Sequence, residues 1–179
     1  MNCWTVYESP LGPLTVSVGP RGLRSVHFPR RGPQLDERLR QPLPEVTSQL
    51  DEYFAGERRA FELELDLRGT PLQLGVWERL REIPFGETAS YGELAGRIEE
   101  SAFPPGVEPY ERARIVGSAV GKTPTPIVVP CHRVIGADGS LTGYGGGLQR
   151  KQALLDLEQR VALGRTPEPA WEERQIAML

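Results

Sequence analysis

The N-terminal third of the chain alternates between apolar and polar side chains with a period of two, the pattern of half-buried strands. This alternation predicts three short strands, near residues 4–7, 14–18 and 23–28. Prolines and glycines separate them, so we expect tight hairpin turns between the strands. Apolar residues at helical spacing then predict a helix over residues 46–54, which Gly56 ends.

A second alternating stretch, residues 61–67, predicts one more half-buried strand. The pattern breaks at residues 68–71, and helical spacing replaces strand spacing beyond them. We therefore predict an α/β N-terminal domain over residues 1–68 and a mainly α domain over residues 69–160. The polar and weakly amphipathic residues 161–179 are expected to form a partly disordered tail.

Helical spacing dominates the second part of the chain. Three helices are predicted there: residues 71–83 behind the N-cap Thr70, residues 91–98 behind the N-cap Ser90, and residues 110–121. The second and third, separated by a turn, indicate a helix-turn-helix. A two-strand stretch around residues 137–140 and a final helix over residues 148–158 complete the predicted order.

Composition and charge narrow the possible functions. The 179 residues carry a net charge of −3, so the chain is not a strongly basic nucleic-acid protein and any DNA contact must be local. No apolar run is long enough to span a bilayer and no signal sequence is visible, which predicts a cytoplasmic protein without membrane contact. The two cysteines are too far apart in sequence for a metal knuckle and too few for a disulfide framework.

Cys131 is the clearest candidate for a chemically reactive residue. His132 and Arg133 follow it directly, an electropositive setting in which a thiol loses its proton more easily. Because neighbouring side chains of an extended segment point apart, His132 needs a turn or a bridging water to act on Cys131. Two alternatives stay open from the residues alone. One is a cysteine that only packs, a role for which Cys3 is the better candidate, and the other is metal ligation, which the scarcity of His and Cys disfavours.

The pentapeptide PCHRV at residues 130–134 resembles the acceptor motif of the 6-O-alkylguanine-DNA alkyltransferases, also called methylated-DNA:protein-cysteine methyltransferases. Further blocks carry the resemblance in the family's order: SPLGPL at 9–14, SYGELA at 90–95, ARIVG at 113–117, GSLTGY at 139–144 and residues 151–158. The resemblance implies an N-terminal α/β domain with a ribonuclease H-like sheet and helix. It also implies a mainly α C-terminal domain with a winged helix-turn-helix.

The resemblance implies a reaction as well. The alkyl group of 6-O-alkylguanine passes directly to Cys131, and because nothing hydrolyses the resulting thioether, each chain repairs one base. No cofactor and no metal are implied, since the zinc ligands of some family members align with Gly19 and Arg24. The implied partner is double-stranded DNA containing 6-O-alkylguanine, from which the base is flipped. Without DNA the protein is expected to be a monomer, and on DNA it is nucleoid-associated.

Residue roles at the site follow from the same resemblance. Cys131 is the alkyl acceptor, His132 activates it through a water, and Glu158 orients His132. Tyr91 and Lys151 offset charge on the departing purine, with Tyr91 as a hydrogen-bond donor. The implied substrate pocket is formed by Val134, Tyr144 and Gly145.

The helix predicted over residues 110–121 is implied to enter the minor groove, where Arg114 takes the place of the extruded base. The helical wheel supports this role independently, because small residues share one face with Arg114. The opposite face carries apolar residues for packing, namely Ile115, Val116 and Ala119. The implied DNA-binding residues are Ala113, Arg114, Gly117, Ser118, Thr123 and Arg133.

Besides the missing zinc ligands, two features depart from the family pattern. Residues 99–109 form a longer, acidic and proline-rich loop before Arg114, and Thr123 stands where the family has an asparagine. Two other function classes are alternatives. A DNA-binding protein that recognises alkylated bases without transfer, or that only regulates, would not need Cys131. A Cys-His hydrolase is disfavoured because no oxyanion-hole motif accompanies the pair.

Overall fold

The computed structural model describes residues 3–28 and 35–167 of the chain. Its N-terminal part is an antiparallel three-stranded sheet in the order β1-β2-β3. The strands are β1 Cys3–Ser9, β2 Gly12–Gly19 and β3 Gly22–His27. Two short turns join them, so the three predicted strands and their hairpin connections are confirmed.

The helix predicted over residues 46–54 is confirmed as α1, Pro44–Phe54, which packs against the sheet. The strand expected over residues 61–67 is wrong, because this stretch pairs with the sheet through a single bridge between Leu23 and Leu65. Leu23 donates to the carbonyl of Glu64 at 2.8 Å and accepts from the amide of Asp66 at 2.9 Å. The free edge of β3 is shared, since Val26 donates instead to the carbonyl of Pro124 at 2.8 Å. Two segments therefore divide one edge, and neither forms a regular strand.

The C-terminal part is helical. Its helices are α2 Pro71–Arg81, α3 Tyr91–Gly96, α4 Pro109–Val120 and α5 Leu148–Ala162. Both predicted N-caps are confirmed: the Thr70 hydroxyl accepts from the amide of Gln73, and the Ser90 hydroxyl accepts from the amide of Glu93. Each forms a capping box with the side chain three residues on, which fixes where α2 and α3 begin.

The two-strand stretch expected around residues 137–140 is wrong. The Asp138 carboxylate accepts from both the amide and the hydroxyl of Ser140, which closes a tight turn there. The residues before this turn form strand β5, Val134–Ile135, which pairs in parallel with β4, Ala89–Ser90. This short pairing joins the entrance of α3 to the segment that follows Cys131.

The long loop before α4 is packed against the helix. After α3 ends at Gly96, earlier than predicted, Phe103 inserts into the core of the helical part and is 7% exposed. The Arg112 guanidinium lies over the Phe103 ring at 5.1 Å and pairs with Glu100 at 2.5 Å. The loop therefore holds the first turn of α4 in place.

Two apolar clusters form the interior. One joins the sheet, α1 and the apolar side of α5, and the other joins α2, α3 and α4 with Cys131. Helix α5 ends at Ala162, so the expected tail begins inside this helix, and its residues from 168 onward lie outside the described part. In the ranges that the structure describes, no helix is long and apolar enough to cross a membrane.

Trp77 connects α2 to α4, and we expect its side chain to be important for holding α4 in position. Its side chain is 2% exposed and its indole N–H donates to the carbonyl of Ala119 at 3.0 Å. We expect Trp77→Phe to lower the free energy of unfolding by about 2 kcal/mol, because a hydrogen bond and buried volume are lost together. Urea unfolding measures the change. Leu74→Ala, at an exposed position of the same helix, should change stability by less than about 0.5 kcal/mol.

Candidate active site and nucleic-acid interface

Cys131 begins a 3-10 turn, Cys131–Arg133, that follows a compact and strained segment. Ile127 adopts a positive φ of 76°, which costs free energy for a β-branched residue. The amide of Val129 donates to the carbonyl of Thr125 at 2.8 Å. The amide of Cys131 donates to the carbonyl of Val129, also at 2.8 Å. These bonds fix the backbone at the cysteine, and the turn provides the change of direction that adjacent Cys and His side chains require.

The Cys131 thiol is enclosed and protonated in this state. Burial raises the pKa of the thiol to about 12, although the Thr123 hydroxyl and the Lys151 ammonium lower it in part. The cavity in front of the thiol measures about 30 Å³. This volume is enough for a single water and far too small for a purine. The cavity is lined by Val120, Gly121, Thr123, Pro126, Cys131, Gly143, Tyr144 and Gly145.

His132 is buried and held in one tautomer. Its Nε2 lies 2.7 Å from Glu158 Oε1, and because that carboxylate is ionised, Nε2 must carry the proton that it donates. Burial lowers the pKa of His132, which outweighs the opposing effect of Glu158, so the ring is neutral. Nδ1 therefore carries the lone pair, and among the described residues it has no hydrogen-bond partner.

Glu158 accepts hydrogen bonds from four residues. Arg133 donates from Nε to Oε2 at 2.8 Å and from Nη2 to Oε1 at 3.0 Å. The Tyr53 hydroxyl donates to Oε1 at 2.7 Å, and the amide of Gly86 donates to Oε2 at 3.0 Å. Burial opposes ionisation, but His132 and the Arg133 guanidinium hold the pKa of this carboxyl well below its usual range. A fully buried carboxylate is thus kept charged by its donors.

The expectation that Arg133 contacts DNA is wrong. Its side chain is only 7% exposed, and besides Glu158 it donates from Nη1 to the carbonyl of Ile83 at 2.6 Å. The physical reason is that Glu158 needs a buried counter-charge, and Arg133 is the cation that the turn after Cys131 brings to it.

Sequence reasoning missed two donors to Glu158, Tyr53 and the amide of Gly86. A signal for Tyr53 existed, because its position on the inner face of α1 implies a buried phenol, and a buried tyrosine hydroxyl normally has a hydrogen-bond partner. No sequence pattern marks Gly86 as a donor to a residue more than seventy positions away.

Lys151 and Tyr91 lie together on the other side of the thiol. The Lys151 ammonium donates to the carbonyls of Val134 and Thr142, the second at 2.7 Å, and burial lowers its pKa to about 8. The Tyr91 hydroxyl donates to the same Thr142 carbonyl at 3.1 Å, and the ammonium lies 5.9 Å from the Tyr91 ring. Val134 is fully buried, and it contacts this group through the carbonyl that accepts from Lys151. Two proton donors therefore converge on the Thr142 carbonyl, and the Lys151 ammonium is near enough to lower the pKa of the Cys131 thiol.

The glycine-rich segment over Cys131 is fastened to the N-terminal sheet. A Cβ on Gly146 would lie 2.6 Å from the Phe28 ring, so the backbone and the ring are in direct contact. Arg150 lies 4.3 Å over Phe28 and donates to the carbonyls of Gly146 and Leu11, each at 2.9 Å. The Tyr144 hydroxyl is buried and without a partner among the described residues. Tyr144 and Gly145 thus form the roof of the cavity.

The outer face of α4 is small and exposed. Arg114 extends from it with 83% of its side chain exposed, 3.9 Å from the Glu111 carboxylate. Gly117 and Ser118 follow on the same face, and Ala113 flanks it, partly buried. A groove of about 360 Å³ runs beside Arg114 between α4 and the beginning of α2. It is lined by Thr70, Leu72, Gln73, Arg114, Ile115, Ser118, Ala119 and Lys122.

Thr123 lies where α4 gives way to the cysteine segment. Its hydroxyl donates to the carbonyl of Val120 at 2.7 Å, and it also lines the cavity at Cys131. The residue that replaces the family's asparagine therefore connects the end of α4 with the thiol. Among residues 3–28 and 35–167, no three His, Cys, Asp or Glu side chains are grouped so that they could hold a metal ion.

Comparison with known proteins identifies related chains. One family model, 6-O-methylguanine DNA methyltransferase, ribonuclease-like domain, matches residues 2–67. A second, 6-O-methylguanine DNA methyltransferase, DNA binding domain, matches residues 71–160. A methylated-DNA--protein-cysteine methyltransferase of Mycobacterium bovis is 47% identical over 156 residues, covering 85% of this chain and 89% of the relative. One from Methanosarcina acetivorans is 39% identical over 160 residues, covering 87% and 97%.

Solved structures give the same result. The crystal structure of Mycobacterium tuberculosis OGT in complex with DNA matches with a TM-score of 0.73 and 44% identity, covering 88% of this chain and 93% of that one. The Pyrococcus kodakaraensis O6-methylguanine-DNA methyltransferase matches with a TM-score of 0.62 and 26% identity, covering 88% and 99%. An N-terminal sheet domain followed by a helical C-terminal domain is common to this fold. The chain belongs to the 6-O-methylguanine DNA methyltransferase family.

Proposed function

We propose that this protein repairs DNA by transferring the alkyl group of 6-O-alkylguanine to Cys131 in a single turnover. The observation that carries the proposal is the neutral His132, which follows Cys131 directly, and whose Nε2 proton is committed to Glu158 while its Nδ1 is left as a free acceptor among the described residues. A base in this tautomer can take the thiol proton through one water. The thiolate is the nucleophile that the reaction needs.

The transfer balances without a cofactor. The thiol proton passes to His132 Nδ1, the Cys131 sulfur forms a bond to the alkyl carbon, and the bond from that carbon to guanine O6 breaks. The electron pair leaves with the purine, which gains a proton. Tyr91 and Lys151 are the donors near the cysteine, and a lysine whose pKa is about 8 gives up a proton more easily than an ordinary one. The thioether that remains has no route to hydrolysis.

Entry of the base requires the roof of the cavity to move. A space of about 30 Å³ cannot hold a purine, so Tyr144 and Gly145 must shift away from Cys131 when the base enters. Gly143 and Gly147 adopt positive φ angles of 45° and 92°, which glycine accommodates at little cost. In this proposal the backbone near Val134 and Cys131 contacts the amine edge of the base once it is inside.

The proposed partner is double-stranded DNA carrying the lesion, bound along the outer face of α4. In this proposal α3 and α4 form a winged helix-turn-helix whose turn is expanded by residues 97–108, and the N-terminal sheet is ribonuclease H-like. Arg114 enters the stack where the base leaves it, and Ala113, Gly117 and Ser118 allow the helix to approach the minor groove. Free protein acts as a monomer in the cytoplasm and associates with the nucleoid through DNA.

Mass spectrometry tests the transfer directly. Mixing the protein with duplex DNA that carries one 6-O-methylguanine should increase the intact mass of each chain by one methyl group, located on the peptide that contains Cys131. Cys131→Ser should bind the duplex and gain no mass. Binding by the unmodified protein without any gain in mass would overturn the proposal and leave the recognition of alkylated bases as the function.

Tyr53→Phe tests the hydrogen-bond network behind His132. Removing the phenol leaves more negative charge on Glu158 Oε1, which raises the pKa of His132. A protonated imidazole cannot accept the thiol proton, so methyl transfer should slow about threefold or more at pH 6 and much less at pH 8. The measurement is the single-turnover rate against pH.

A matched control exists in the same domain. The Tyr7 hydroxyl donates to the Asp51 carboxylate at 2.8 Å, so Tyr7→Phe also removes a tyrosine–carboxylate bond but leaves Glu158 untouched. Its pH profile should coincide with that of the unmodified protein. An equal slowing at pH 6 and pH 8 in Tyr53→Phe would show that the phenol supports the fold without setting the charge state of His132.

Arg114→Ala tests base extrusion separately from chemistry. Because a free base needs no extrusion, the variant should lose about tenfold or more in rate on duplex DNA while it reacts normally with free 6-O-methylguanine. Single-turnover rates with the two substrates give the comparison. Equal losses on both substrates would refute the extrusion role, since Arg114 would then act on the fold or the thiol.

A further inference from the structure

Tyr110 is a large aromatic side chain presented to solvent at the beginning of α4. It is 82% exposed, more than any other large apolar residue in the described ranges. The other exposed residues of this kind are Leu74, Leu148 and Leu163, and none of them belongs to α4. Neither the acceptor site nor the role proposed for Arg114 uses this ring.

The position of Tyr110 on the helix aligns it with the DNA-facing residues. Residues four apart lie about 40° apart around a helix and about 6 Å apart along it. Tyr110 therefore lies on the same face as Arg114, one turn closer to the beginning of α4. Ser118 and Gly121 continue the exposed stripe on the other side of Arg114.

The long loop before α4 fixes this presentation. Arg112 pairs with Glu100 and lies over the buried Phe103 ring, which anchors the first turn of the helix. The amide of Glu108 donates to the Glu111 carboxylate at 3.3 Å and closes the helix start. Tyr110 is thus an exposed aromatic on a fixed backbone, an arrangement that contributes contact area at low conformational cost.

The negative charges around Tyr110 determine which part of DNA its ring can contact. Glu108 and Glu111 flank it, and Glu100 lies in the adjoining loop, so this end of α4 is unsuitable for a phosphate. An uncharged ring packs on the deoxyribose rings and base edges that line the minor groove, where the acidic neighbours are no obstacle. Phosphate contacts are better supplied at the other end of the helix, where Lys122 lines the groove beside Arg114.

We infer that Tyr110 is a further DNA contact, whose ring packs against sugars and bases about two base steps from the extruded nucleotide. The inference rests on the proposed function, because it requires α4 to lie on DNA. It gives the loop over residues 97–108 a role, since that loop holds the turn from which Tyr110 extends.

Equilibrium binding to a duplex with one 6-O-methylguanine, in the Cys131→Ser background, tests the inference. Tyr110→Ala should weaken affinity about five- to tenfold at every salt concentration, and Tyr110→Phe should stay within about twofold. The slope of affinity against salt should not change in Tyr110→Ala, because no phosphate contact is lost, whereas Lys122→Ala should reduce it by about one. Leu163→Ala, exposed but remote from α4, is the control and should bind normally.

One further readout separates this inference from the proposed function. With Cys131 present, Tyr110→Ala should react normally with free 6-O-methylguanine. Unchanged duplex affinity in Tyr110→Ala, or a reduced salt slope, would overturn the inference alone. Failure of the Cys131→Ser protein to bind the duplex would overturn it together with the proposed function.

Discussion

The buried carboxylate of Glu158 is the constraint on which the rest of the site depends. A charge without access to water is tolerated only when donors surround it, and removing one partner of such a group is costly. The donors come from three places: the Cys131–Arg133 turn, which supplies both Arg133 and the imidazole that must stay neutral, helix α1, and the segment that follows α2. The hydrogen bonds to this one carboxylate therefore bring the turn that begins at Cys131 and the N-terminal domain to the same point.

Helix α5 holds two buried charged residues that interact with the segment around Cys131. Lys151 and Glu158 are seven residues apart, two turns along the same face, and both are fully buried. One donates to the backbone that follows Cys131, and the other accepts from the side chains that follow it. The apolar residues between them pack on the sheet and α1. Under the proposed function, the sheet domain is thus part of the catalytic apparatus, because Tyr53 and Phe28 act on groups that touch the reacting atoms.

Regular local patterns predicted much of this fold. The strands of the first sheet follow from alternation, and α2 and α3 begin at Thr70 and Ser90 because capping boxes are local in sequence. Prediction failed where long-range pairing decided the outcome. Residues 61–67 alternate like a strand, yet they pair with β3 through one bridge only, and the Val26 amide farther along β3 donates to Pro124. Arg133 has the positive charge expected of a DNA contact, and only the position of Glu158 in space explains why its side chain is buried.

The enclosure of the Cys131 thiol restricts which molecules can reach it. Because burial raises the pKa of this thiol to about 12 and its cavity has room for only one water, electrophiles in solution have little access to a thiolate at Cys131. Under the proposed function each chain reacts once, so low reactivity in the absence of substrate preserves the acceptor. Opening of the Tyr144 roof by a flipped base would bring the alkyl carbon to the sulfur beside His132 at the moment when deprotonation is useful. Selectivity then comes from access as much as from recognition of the base, and the contacts that keep the roof closed, through Phe28 and Arg150, contribute to it.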